Sequence, residues 1–313
     1  MYTGGVDART LPTPGTRIDL LLAYDWLYDE PFLALLGETF RSTGKSLMLV
    51  SPSSLPGAME QLRSGRIVPR AYLDRASDTD PNFQPLEDWA GQNVSIHLNP
   101  ARRRREIWRK TNLHWEFIHA GLHTPYTIVV PSHRRQPAFE HPPDLSPLSV
   151  PFSIKPDLGG GGWGVVTDAR TWADVEKARC SMPDEDLILQ QFVEPTLLVG
   201  RRAWFRIFYA CGLVVPCWWD DRTHLFGPAV TAEERWRLRL NPLWRMAQTA
   251  AQIAQLQLFS TEVALVQDGR FIVVDYVNDP VDLRILPYAR EGMPREVAWS
   301  LAGALATYLG QLP

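Results

Sequence analysis

Three groups of residues have the types and spacing to do chemistry. The first is the run GGGGWG, Gly159 to Gly164. Consecutive glycines let a backbone approach a ligand closely and turn several N–H groups toward an anion such as phosphate, although such a run also suits a plain loop. It formally satisfies G-x-G-x-x-G through Gly159, Gly161 and Gly164. A dinucleotide-binding fold would carry that pattern at its first strand-to-helix turn, whereas this one lies mid-chain. A protein kinase would place its lysine after the loop and carry H-R-D and D-F-G beyond it, and neither follows. No G-K-[ST] closes the loop, so it is not a P-loop.

The second group is basic. Of the 32 basic residues 28 are Arg, and the four lysines are Lys45, Lys110, Lys155 and Lys177. Arg is a fixed planar fork and Lys a compact point charge on a flexible stem, so the place of each lysine is informative. Lys155 ends the stretch PFSIK just ahead of the glycines, from where it can reach back over phosphates held beneath the loop. Lys110, 45 residues earlier, could neutralise another part of a triphosphate or be an ordinary solvated helix charge.

The third group is acidic. Glu262 sits in STEVALV, and Asp275 and Asn278 sit in FIVVDYVND. The Asp268-Gly269 turn between them makes the two segments antiparallel neighbours. Carboxylates with an amide carbonyl are hard oxygen ligands suited to Mg²⁺ on phosphates. A carboxylate amid FIVVDYV also needs a partner, because burying it alone is costly. A spacing of three puts Asp275 and Asn278 on opposite faces of a regular strand. A bulge or a strand end is therefore required to bring them together. Asp279 and Asp282 serve equally well as acids capping turns at a strand end.

These groups need elements to position them. Strands are expected at 17–24, 46–50 and 93–98 with helices at 30–42 and 56–65 between them, an α/β alternation with a parallel sheet and a boundary near Asn99-Pro100. One helix is expected over 101–120, opening with the run Arg102 to Arg105, an unfavourable charge for a helix N-terminus. Strands follow at 127–130, 152–155 and 186–192, with a Pro-, His- and Arg-rich loop over 131–150 and a helix over 171–180. A hairpin over 204–215, a broken helix over 232–258, paired strands at 261–266 and 270–277, and a helix over 296–309 complete the chain.

Composition limits the partners. The 313 residues carry 35 acids and 32 bases, a net charge of −3, which argues against a general nucleic-acid binder. No apolar run of about 18 residues indicates a membrane span, and residues 1–17 lack the layout of a secretory signal. Three cysteines read as reduced thiols in a cytoplasmic protein. The seven histidines show no metal-site spacing, and Gly121 between His119 and His123 argues against a metal pair there. Trp218 and Trp219, ahead of Asp220-Asp221, could be core packing or an aromatic wall facing a substrate.

Read in order, RKTNLHWEFIHAGLHTPYTIVV, PFSIKPDLGGGGWGV, DLILQQFVEP, RAWFRIFYACGLVVP and FSTEVALVQDGRFIVVDYVNDP resemble the ATP-grasp superfamily over about residues 100 to 285. The resemblance implies an α/β plus α+β chain: a lead over 1–16, an N-terminal α/β pre-ATP-grasp domain over 17–99, and a two-subdomain ATP-grasp fold divided into 100–191 and 192–313. It further implies ATP and Mg²⁺ as cofactors. Lys110 and Lys155 match the phosphate-binding lysines, and Gly159, Gly160, Gly161, Gly162 and Gly164 the loop closing over the phosphates. Gln190, Gln191, Phe192, Val193 and Glu194 match the hinge, with backbone groups of Phe192 and Val193 at the adenine edge and Glu194 at the ribose. Arg206 matches an arginine near the transferring phosphate, and Glu262, Asp275 and Asn278 match the metal ligands. The chain departs from the family's acid-x-Asn, because Tyr276 stands two before the Asn and the acid is one residue early.

The activity implied is ATP-driven ligation: a carboxylate becomes an acyl-phosphate and an amine or similar nucleophile displaces the phosphate. Arg284 is either a bidentate binder of that carboxylate or a surface arginine. A small-molecule kinase and a nucleotide-binding regulatory protein with degraded catalysis are the alternatives. The partners expected are small-molecule or peptide carboxylates and amines, with no nucleic acid and no membrane, and association into a homo-oligomer is left open.

Overall fold

The computed structural model describes residues 15–160 and 162–312. Gly161 and all but the end of the N-terminal lead lie outside the described residues.

Residues 16–97 build a parallel sheet from β1 (Thr16–Tyr24), β2 (Leu47–Val50), β3 (Ile67–Arg75) and β4 (Ile96–His97) in the order β2-β1-β3-β4. The crossovers are α1 (Glu30–Ser42), α2 (Leu55–Arg63) and α3 (Gln84–Asn93). Leu20, Leu21, Leu22 and Ala23 of β1 are all buried, since both faces of a parallel sheet are covered and its strands lose polar alternation. β3 is absent from the sequence reading. Pro69 and the charges of Arg70, Asp74 and Arg75 interrupt its pattern, yet it pairs with β1 from Thr16↔Ile67 to Tyr24↔Arg75. The strand expected over 93–98 shrinks to β4, because α3 runs on to Asn93.

Asn99 then stitches this unit to the rest of the chain. Its Oδ1 accepts from the N–H groups of Gln257 and Leu258 at 3.0 Å each, and its Nδ2 donates to the Leu258 carbonyl at 2.7 Å. The single helix expected over 101–120 is two, α4 (Ala101–Ile107) and α5 (Lys110–His119). Asp157, far along the chain, causes the break by capping the first turn of α5. Its Oδ1 accepts from Thr111 N and Oγ1 at 2.7 Å each, and its carbonyl accepts from Lys110 N at 2.9 Å.

An antiparallel sheet of order β5-β8-β6-β7 follows, from β5 (Thr127–Val130), β6 (Phe152–Pro156), β7 (Val166–Ala169) and β8 (Leu187–Gln191), packed on α6 (Trp172–Ser181). β9 (Leu197–Leu198) and β10 (Arg201–Arg202) form a short hairpin. The largest sheet, antiparallel, has the order β13-β12-β11-β14-β15 and comprises β11 (Trp204–Ala210), β12 (Leu213–Asp220), β13 (Leu225–Ala229), β14 (Leu258–Leu265) and β15 (Phe271–Asn278). α7 (Ala232–Arg237) and α8 (Asn241–Ala254) precede β14, and α9 (Arg295–Gln311) closes the fold.

The large sheet has two unlike faces. Phe205, Ile207, Phe259, Val263 and Val273 pack with α5 and α8 on its back. At one end of the front, Phe208, Ala210 and Leu258 join a core that includes α9 and α1. At the other end, Trp204, Trp219, Ala264 and Ile272 form a smaller apolar group around the residues considered next. No helix among the described residues is long and apolar enough to cross a membrane.

Candidate active site

Two bulges in β15 bring the three acidic-group residues together. Ser260 pairs with Asn278, Glu262 with Asp275, and Val263 with Val273, so β15 carries one extra residue on each side of the Glu262–Asp275 pair. The consequence shows in the packing. Val274 belongs to the front apolar group, while Tyr276 and Val277 both belong to the back core. Asp275 thereby lies across from Glu262, and Asn278 across from Ser260, despite the spacing of three that strict alternation would split. The Asn278 amide N–H lies 3.5 Å from the Ser260 carbonyl.

Burial holds the Glu262 carboxyl above its ordinary range, and nearby Asp275 pushes the same way; the Arg206 guanidinium opposes both. Trp204 Nε1 donates to Glu262 Oε2 at 2.9 Å, and Arg206 Nη1 lies 3.5 Å from Oε1. Arg206 also donates to Ser260 Oγ at 3.3 Å and sits over the Trp219 ring at 5.1 Å. The adjacent tryptophans divide by strand alternation. Trp219 faces the front, whereas Trp218 packs on Phe205 at the back.

Lys155 arrives from the other sheet. Phe152, Ile154 and Pro156 turn one face of β6 into the core, which leaves Lys155 on the opposite face. Its Nζ donates to the Val274 carbonyl at 3.3 Å, next to Asp275. Burial lowers its pKa, and Asp275 and Glu262 oppose that shift. Lys110, in the first turn of α5, donates through Nζ to the carbonyls of Pro156 at 3.1 Å and Gly159 at 2.5 Å. Burial lowers its pKa as well, with Lys155 adding to the shift and Asp275 opposing it. The two lysines thus meet the glycine loop and the acidic cluster together.

Within that loop, Gly159 has φ +112° and Gly164 φ +69°, a region other residues rarely adopt. A Cβ at Gly164 would also lie 2.5 Å from Met182 Sδ. Gly160 and Gly162 are exposed, as is Trp163 at the tip.

A cleft of about 750 Å³ opens beside the end of β8. Gln191, Phe192, Val193 and Glu194 line it, opposite Val266, Arg270 and Ile272. Arg202 holds Glu194 at 2.5 Å and grips Asp221 with two further bonds of 2.7 Å. Gln190 stands apart from its four neighbours. It is buried behind the cleft, where Nε2 donates to Tyr276 Oη at 2.8 Å and to Thr127 Oγ1 at 3.1 Å. Tyr276 Oη in turn shares a hydrogen bond with His114 Nδ1 at 2.7 Å. Arg284 is occupied as well. Asp282 takes its fork at 2.7 to 3.1 Å, Glu291 takes Nη1 at 3.3 Å, and the guanidinium lies over Trp26 at 5.5 Å.

Sequence reasoning did not assign the junction beneath this site. Arg104 is buried between Asp74 and Asp279, Arg75 pairs with Asp29 at 2.7 Å, and Asn99 Nδ2 reaches Asp279 Oδ1 at 2.6 Å. The signal was the misfit of the Arg102 to Arg105 run at a helix start. Arg103 pairs with Glu106 on its own helix at 3.0 Å and also reaches away from it, donating to the carbonyls of Ile253 and Ala254 at the end of α8.

No protein-family model and no curated protein matches the chain. Solved structures do. A RimK domain ATP-grasp protein from Sphaerobacter thermophilus DSM 20745 is 21% identical with TM-score 0.61, over 92% of this chain and 98% of that one. The ATP-grasp ligase PsnB, complexed with minimal precursor, Mg and ADP, is 14% identical with TM-score 0.60, over 94% and 99%. A D-alanine–D-alanine ligase from Bacillus anthracis complexed with ATP is 11% identical with TM-score 0.58, over 95% and 96%. Identities this low speak to the fold.

Proposed function

We propose that this chain, which has the ATP-grasp fold, is an ATP- and Mg²⁺-dependent ligase that activates a carboxylate for attack by an amine. The observation that carries the reading is the convergence of Glu262, Asp275 and Asn278 through the two bulges of β15, with Lys155 reaching the same strand. The donor set fits Mg²⁺: two facing carboxylates and an amide oxygen are all hard ligands. The raised pKa of Glu262 also marks a place where a cation would relieve crowded negative charge. When bound, the ion would draw charge off the phosphate oxygens.

The chain divides into units over 17–99, 100–191 and 192–313. Adenine lies in the cleft against Gln191 to Glu194, with backbone groups of Phe192 and Val193 at its edge and Glu194, steadied by Arg202, at the ribose. Lys110 and Lys155 neutralise the phosphates, residues 159–164 close over them, and Arg206 attends the phosphoryl group in transfer. A carboxylate oxygen bonds the γ-phosphorus as the bond to ADP breaks, and an amine then displaces phosphate to leave an amide. The protein's share is positioning and neutralisation of charge. The acids and amines are small molecules or peptides, and three unpaired cysteines are in keeping with a cytoplasmic setting.

The test is ADP and phosphate release across a panel of carboxylates and amines, amino acids and short peptides included, with mass analysis of products. Release that needs both partners and yields an amide is expected. A phosphorylated acid that amines leave untouched would instead establish a kinase. Lys155→Ala is expected to weaken ATP binding, and an unchanged affinity would count against the whole reading.

A further inference from the structure

A second constellation lies outside this cleft, where α6 meets the loop that follows β5. Glu176 and Cys180 are four apart on α6 and so share one face of the helix. His133, from the loop, stands over that face. One ligand atom from each of the three residues lies within 4.8 Å of the other two. His133 Nδ1 is buried and has no hydrogen-bond partner, an expensive state for an imidazole nitrogen unless something binds there.

The loop is held firmly in that pose. Arg179, fully buried on α6, donates to the carbonyls of Pro131, Ser132 and Gln136 and lies over the Phe139 ring at 4.6 Å. Asp186 takes the Ser132 N–H at 2.8 Å and Arg135 at 2.9 Å. The backbone on both sides of His133 is therefore fixed before any ligand arrives. Glu176 gives Oε1 to Arg179 at 2.6 Å, which orients the carboxylate and leaves lone pairs on its second oxygen.

We infer that His133, Glu176 and Cys180 form a binding site for Zn²⁺. Imidazole nitrogen, carboxylate oxygen and thiolate sulfur are the ligands a tetrahedral Zn²⁺ takes, with water in the fourth position. The set is too soft for Mg²⁺, which separates it chemically from the oxygen cluster of β14 and β15. On binding, Cys180 forms the metal–sulfur bond and its proton leaves to solvent. Cys180 is exposed, so the ion can enter from solvent. Once there it ties the loop over 131–150 to α6.

The experiment uses the full chain, stripped by a chelator and dialysed against Zn²⁺, and separately against Co²⁺, in excess Mg²⁺ to fill the hard-oxygen site. One equivalent of Zn²⁺ is expected, and the Co²⁺ form should show thiolate-to-metal charge-transfer absorption. His133→Ala, Glu176→Gln and Cys180→Ser should each weaken Zn²⁺ binding at least tenfold, and Cys180→Ser should abolish the charge-transfer band. Glu262→Gln should keep the full equivalent. Cys180 is exposed and Ser nearly isosteric, so folding is not at stake in that variant. Retention no better than in a variant carrying His133→Ala, Glu176→Gln and Cys180→Ser together, retention untouched by Cys180→Ser, or loss in Glu262→Gln would each overturn the assignment.

Discussion

Tyr276 stands where the ATP-grasp pattern would put an acid, and its hydroxyl bonds to neighbouring elements. It is buried on the back of β15, hydrogen-bonded to His114 and accepting from Gln190, which latches the strand to α5 and β8. The latch lies next to Asp275, within the bulged stretch of the strand. Tyr276→Phe would leave the buried His114 Nδ1 without its partner and take one of the two bonds of Gln190 Nε2, which keeps Thr127, at about 1–3 kcal/mol. If the latch sets the register, the variant should also need more Mg²⁺ for half-maximal nucleotide binding, measured by titration at fixed ATP. A stability loss with unchanged Mg²⁺ dependence would reduce Tyr276 to packing.

The lysines make a second case at this scale. Lys110→Arg and Lys155→Arg are each expected to weaken ATP binding about tenfold or more, because a planar fork cannot take the place of a compact ammonium between carbonyls and acids. Lys177→Arg, on an exposed turn of α6, should bind ATP normally. Equal damage at Lys177 would show that position is not the reason.

At the scale of elements, Asp157 does two things. It starts α5 at Lys110, and its ion pair with Arg109 at 3.2 Å holds the preceding turn. Removing the cap by Asp157→Ala should cost about 1–2 kcal/mol and let Lys110 drift from the loop carbonyls. The kinetic signature is a raised KM for ATP with kcat less affected, and Asp157→Asn, which keeps an acceptor, should recover most of it. This helix start also shows what was legible in the sequence. The strands and helices around the site, Lys155 ahead of the glycines and the acids on a hairpin could all be read from local pattern. The break at residues 108–109 could not, because its cause is a side chain about fifty residues away. Nor could β3, whose apolar run is broken by Pro69 and by charges that are neutralised only in the folded junction. Spacing indicated that a bulge was needed at Asp275. That there are two, one on each side of the Glu262–Asp275 pair, is a matter of the pairing between strands and not of spacing along one.

At the scale of the whole molecule, the junction between the parallel sheet and the rest is unusually charged. Arg104 lies buried with Asp74 and Asp279. Truncating it by Arg104→Ala strands two buried carboxylates, and a loss of about 3–5 kcal/mol is expected in denaturant unfolding. Nearby Glu87 is held up at about 7, by burial first and by Asp74 next. The folded chain therefore keeps a proton there that the unfolded chain has lost between about pH 4.5 and 7. Its contribution is complete below that window and falls away as pH rises through it. Glu87→Gln should remove this slope, so the variant's Tm should gain on the wild type from pH 5 to pH 8. A constant difference would mean that Glu87 is already ionised in the fold.

The packing of α9 against α1 bears on how the protein is made. Phe32, Leu36 and Phe40 of α1 share one core with Leu301, Leu305 and Leu309 of α9, so the first helix described and the last are neighbours in space. On the ribosome the strands of the parallel sheet emerge well before α9, one of the sheet's covers. Until then an apolar face of the N-terminal unit stays open to water, and domain-by-domain folding from the N-terminus cannot finish. Contacts this distant in sequence also slow the final step, since the long loop must close before the core repays it. Translation thus passes through a long interval in which the parallel sheet is already made and still lacks one of its covers.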